Sequence, residues 1–156
     1  MKIEDVYHDG AALLPPDPID IWRTKDALEG ALVVSCRYDP VWENASILLD
    51  LRNAEWPLKG QVAVLEARGL EHFHYESVPR RGRHWRAMES WTTSRPSDVW
   101  EVHAFVLGGA SLRLRANFFS ISQGSVSRLE LAPPILGSAP NEKYVLSCHP
   151  GMMKSR

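Results

Sequence analysis

Two runs of polar and apolar alternation, joined by Gly108-Gly109, constrain this chain more than any other feature. Over residues 99–107, Trp100, Val102, Ala104 and Val106 fall on one side. Over residues 112–118, Leu112, Leu114, Ala116 and Phe118 alternate with Arg113, Arg115 and Asn117. A repeat of two sends successive side chains to opposite faces of a strand, and a glycine pair supplies the positive φ angles of a tight turn. The segment therefore reads as a β-hairpin with one buried face, and Trp100 belongs to the core.

The same period recurs upstream. In residues 32–38, Leu32, Val34, Cys36 and Tyr38 face one way and Val33, Ser35 and Arg37 the other; Asp39-Pro40 then breaks the strand. Ile47, Leu49 and Leu51 open a second strand whose Asp50 and Arg52 share the outward face, so the two make a hairpin with a long tip over residues 39–45 that carries Val41 and Trp42. Residues 61–68 are apolar almost throughout, which suits a strand covered on both faces, although Leu-Glu-Ala-Arg would also tolerate a helix; Gly69 ends the element either way. Phe73 and Tyr75 alternate with His72, His74 and Glu76 in a further strand. Residues 77–97 read as a long polar, basic connection with Trp85 and Trp91 embedded, and more strand signals follow at Ile121, 126–131 and 143–148. Asp17-Pro18 and Gly30 could bracket a short helix after an extended lead-in over residues 1–18, with an irregular segment laid on a sheet as the alternative. Residues 149–156 should fray.

That pattern predicts a mainly β fold, an antiparallel two-sheet sandwich or a partly open barrel with at most one short N-terminal helix. A length of 156 residues fits one domain spanning 1–156. Hydrophobic and charged fractions of 44% and 24% match ordinary globular chains, which excludes disorder, and no apolar run approaches the ~18 residues of a membrane-spanning helix. Met1-Lys2-Ile3-Glu4-Asp5 turns acidic where a signal peptide needs an apolar stretch, so a cytoplasmic location is expected. Cys36 and Cys148 are too few for a disulfide scaffold and read as reduced thiols.

The net charge of -1 conceals an asymmetry: residues 1–66 carry 12 acidic and 6 basic side chains, residues 67–156 carry 7 and 12. The basic excess is sharpest at Arg80, Arg81, Arg83 and Arg86, with His84 and Trp85 between them. Guanidinium groups bind phosphate bidentately and an indole stacks on a base, so RNA or single-stranded DNA is one reading of this loop; a solvated loop or protein contact is the preferred one. Trp42, Trp85 and Trp91 fall in expected loops, where indoles either lid a core or anchor an interface.

Signals for catalysis are sparse. His72 and His74 share a strand face at a spacing that can hold zinc, but no third ligand is fixed by the sequence and a polar strand face accounts for the pair. No phosphate loop, Gly-x-Ser-x-Gly elbow or dinucleotide fingerprint is present, and neither cysteine lies beside a marked base. No cofactor is expected.

The segments Ile47-Leu48-Leu49-Asp50-Leu51-Arg52, 62–69, Phe73, Trp85, the hairpin from Val99 and Ser127-Arg128-Leu129 together resemble a group of small, uncharacterised bacterial β-rich proteins, some of them grouped with immunity proteins of polymorphic toxin systems. The resemblance spans about residues 31–132. It implies a compact protein that acts by binding, with the masking of a toxin domain as the specific expectation. The resulting expectation is a non-enzymatic protein-binding domain with Arg80, Arg81, Arg83, His84, Trp85, Arg86, Trp91 and Trp42 at its interface, nucleic-acid binding through the arginine loop as the alternative, and a metal-dependent hydrolase using His72 and His74 as the second alternative.

Overall fold

The computed structural model describes residues 22–54, 61–77 and 86–124. Six strands, β1 (Leu32–Asp39), β2 (Asn44–Asp50), β3 (Val62–Ser77), β4 (Met88–Ser94), β5 (Trp100–Val106) and β6 (Ala110–Gly124), form one antiparallel sheet in the order β1-β2-β3-β6-β5-β4. The mainly β, antiparallel expectation holds. The described strands make one sheet, however, and not two, and that sheet is not closed.

Curvature comes from the two longest strands. β3 and β6 run for 16 and 15 residues, and each changes partner partway. Up to Arg68, β3 is paired with β2 on one side and the far half of β6 on the other; from Leu70 it pairs with β6 alone, while β5 takes the opposite edge of residues 110–116. A register shift between Leu70 and His72 marks the change, and a bulge of this kind bends its strand and sharpens the twist. Gly69 therefore does not end a strand: the two segments read separately in the sequence are one bent element.

The bend brings the sheet's outer edges together at one place. Leu32 and Ala87 form an isolated antiparallel bridge, Val33 N donates to Arg86 O (2.8 Å), Met88 N to Ala31 O (2.8 Å) and Gly30 N to Met88 O (2.9 Å). Farther along, Asp26 N donates to Trp91 O (2.9 Å) and Trp91 N to Asp26 Oδ1 (3.0 Å). Residues 26–33 thus follow the edge of β4 and occupy amides that would otherwise invite another strand.

This run stands where a helix was anticipated. Residues 22–30 are turns, and among the described residues the only helical piece is the short 3-10 turn Pro96–Asp98. Asp26 at φ +58° breaks any helical path, and its carboxylate is held by the Trp91 amide. Gly30, at φ +81°, passes so close to the β2–β3 connection that a Cβ would stand 2.2 Å from Asn53 O.

A single apolar cluster fills the concave side. Ile47 and Leu49 of β2, Leu65 of β3, Trp91 of β4, Val102 of β5 and Leu112 and Leu114 of β6 belong to it, with Leu28 inserted from the edge-covering run. Trp22 packs its indole against Trp91, Trp100 and Phe119 at centroid distances of 6.1, 6.2 and 5.6 Å. Trp100 is half-buried against this cluster. On β2 and β3 the other face is buried as well, through Leu48, Val62 and Val64. The doubly covered strand expected over residues 61–68 is present.

Two further expectations change. The register shift between Val33 and Ser35 splits the face assigned to β1: Val33 and Cys36 pair with the core-facing Leu49 and Ile47, while Leu32 and Val34 pack with Ala87 on the other side. β4 lies inside the stretch read as a connection. Its two buried anchors, Met88 and Trp91, are three residues apart because of a third register shift, between Met88 and Ser90, which erases the period of two. The expected lead-in, the tail and the strands over 126–131 and 143–148 lie outside the described residues. Among the described residues no helix is long and apolar enough to cross a membrane.

Candidate functional site

The tryptophans expected at an interface separate sharply. Trp91 is 0% exposed and belongs to the core, so it lids the interior and is not an anchor for a partner. Trp42 is 73% exposed and its neighbour Val41 81%. Arg80, Arg81, Arg83, His84 and Trp85 lie outside the described residues.

Trp42 sits on a turn that is fastened from several directions. The tip is shorter than anticipated, because β1 reaches Asp39 and β2 begins at Asn44. Asp39 Oδ1 accepts from Val41 N (2.9 Å) and Trp42 N (3.1 Å), the side-chain turn by which an aspartate closes a chain reversal. Glu43 takes φ +50°, and its carbonyl accepts from Leu70 N (2.8 Å), tying the tip to the bend in β3. With its nitrogen toward the turn, the Asn44 amide donates to Trp42 O (3.1 Å) and Glu43 O (3.3 Å). A large apolar side chain is thereby held in solvent by backbone that cannot easily fold it away. Two strands across, in register with Asn44 through Arg68, Phe118 is 53% exposed, about 10 Å away at the usual strand spacing.

Arg86, the one described member of the arginine loop, is turned inward. Its Nη1 is buried without a hydrogen-bond partner and would stand 3.2 Å from a Cβ on Gly108. Tyr75, on the core-facing side of β3 opposite Leu112, feels that charge: burial pushes its phenol up, Arg86 pulls it down and Cys36 adds to the rise. Cys36 has exposed surface on an edge strand, yet the protein around its sulfur pushes the thiol up to about 11. That desolvation keeps the thiol neutral at pH 7. Tyr38 stacks on Phe73 beside it, centroids 5.7 Å apart.

His72 and His74 do share a face, with rings 6.1 Å apart and nearly parallel, and His74 Nε2 lies 3.6 Å from Glu76. Cross-strand register adds His103 and the arginines: His72 opposes Arg115 and His74 opposes Arg113, which on their other side oppose Glu101 and His103. Arg115 is engaged by Glu71 at 2.9 Å and Glu101 at 3.7 Å. Among the described residues no three His, Cys, Asp or Glu side chains converge as metal ligands would.

Asp50 and Arg52 were expected to point outward together. They do share a side, but it is covered: Asp50 is fully buried, Arg52 is 8% exposed in its side chain, and the guanidinium grips the carboxylate through Nη2 (2.7 Å) and Nε (3.0 and 3.2 Å). This part of the Leu-Asp-Leu-Arg motif is structural cement. What the sequence reading missed is the role of Asp39 as the staple of the tip; an Asp-Pro step just before an indole was the available signal.

No protein-family model matches the chain, and no curated protein matches it in sequence. A crystal structure of an uncharacterized protein from Neisseria gonorrhoeae is similar over 63% of this chain and 94% of its own, with 5% identity and a TM-score of 0.45. A likeness that slight carries no functional argument.

Proposed function

We propose that this chain is a non-enzymatic protein-binding domain, built on a barrel-like curl of one sheet, that docks through the β1–β2 tip. The carrying observation is Trp42, 73% exposed on a turn fastened by Asp39, Asn44 and Leu70. Indoles are among the residue types enriched where a few side chains dominate association energy, and a turn ordered before contact avoids the entropy cost of ordering it on binding. Toxin neutralisation is the specific form of this reading, and it rests on the sequence resemblance alone.

Comparison of Trp42→Ala with Glu89→Ala, an exposed control on β4, tests the proposal in affinity capture from cells of the source organism. Trp42→Ala should lose a protein that wild type and Glu89→Ala both retain, by about 2 kcal/mol or more of binding energy, with an unchanged melting temperature. An identical set of captured proteins from all three would overturn it. Trp91→Ala, which empties a core position, should instead destabilise by about 3–5 kcal/mol.

A further inference from the structure

A second, unrelated site lies along the edge of β4. Residues 22–25, joined to β4 where Thr93 Oγ1 donates to Trp22 O, border with it an open cleft of about 440 Å³, within the size range of small-molecule sites. Its floor is indole: Trp22 and Trp100, tilted by 52° to one another, both line it. Three cationic residues, Arg23, Lys25 and Arg95, also line it. The other described lining residues, Thr24, Thr92, Thr93 and Ser94, each carry a hydroxyl, and among the described residues the lining includes no carboxylate.

The two best-defined cations are loosely held. Lys25, whose side chain is 80% exposed, reaches Asp26 only at 3.7 Å, and the other oxygen of that carboxylate is occupied by the Trp91 amide. Arg95 stands 5.4 Å over the Trp100 ring and 3.8 Å from Asp98, an exposed pair of a kind that contributes little. Both can therefore turn to a ligand at small cost.

We infer that this cleft binds a small phosphorylated molecule with a planar ring, of mononucleotide size, the ring resting on the indole floor and the phosphate drawn to Lys25 and Arg95. Aromatic surface is what a planar ring stacks on, and guanidinium and ammonium donors are what a phosphate dianion takes. Neither component alone should suffice, because each engages only one part of the lining. The site is independent of the tip: Trp42 does not line it.

Calorimetric titration of the full chain with AMP, adenosine and inorganic phosphate tests the inference. AMP should bind saturably, with adenosine and phosphate each at least about ten-fold weaker, a step of roughly 1.4 kcal/mol. Lys25→Ala and Arg95→Ala should each weaken AMP by about five-fold without shifting the melting temperature, and Trp42→Ala should leave AMP binding intact. Failure of AMP to saturate at millimolar concentration, equal binding by the Lys25→Ala/Arg95→Ala double variant, or binding of a single-stranded oligonucleotide in place of AMP would each overturn it.

Discussion

Among single residues, Asp50 and Arg52 form a buried ion pair. A carboxylate with no exposed surface is tolerated because Arg52 meets it with two nitrogens and its own amide donates to Oδ1 at 3.0 Å. Removing one partner of a buried ion pair strands the other, so Arg52→Ala should cost about 3–5 kcal/mol in urea denaturation. A loss below ~1 kcal/mol would mean that water reaches the carboxylate. The spacing of two was readable as a shared face, but the covering of that face was not: nothing in Leu-Asp-Leu-Arg distinguishes a solvated pair from an enclosed one. Trp91 makes the converse point, since an indole among serines and threonines reads as a loop anchor while its ring is wholly interior.

At the scale of elements, legibility followed regularity. The β5–β6 hairpin keeps its register from Trp100 to Val106, and both turn glycines have positive φ, as the sequence required. β1, β3 and β4 each contain a register shift, and each was misread at that point: a face split in β1, a strand divided in β3, a strand lost in β4. One inserted residue inverts the alternation on which such readings depend. The tip of β1–β2 was located, though its stiffness was not. Asp39→Ala tests that stiffness without any partner. Loss of the two bonds from Val41 and Trp42 should raise amide exchange there by about ten-fold while leaving the core amides of β2 and β6 unchanged. Unaltered exchange at the tip would show that Asn44 and Leu70 alone hold it.

For the whole molecule, one bent sheet accounts for both the enclosed core and the way its edges are managed. Residues 26–33 cover the edge of β4, so its backbone is not offered to another chain there. On the outward side Arg115 of β6 lies between Glu71 of β3 and Glu101 of β5, and Phe105 and Phe118 leave apolar surface on the same strands. Among the described residues, large apolar side chains stand outside at Phe105, Leu107 and Phe118 as well as at the β1–β2 tip, where Val41 and Trp42 are the most exposed of all. Site-specific photo-crosslinking in source cells interrogates that arrangement most directly, with the photoreactive residue placed at position 42 or, as a control, at position 89. A single protein adduct from position 42 and none from position 89 is the outcome the account predicts; adducts from position 89 with none from position 42 would contradict it.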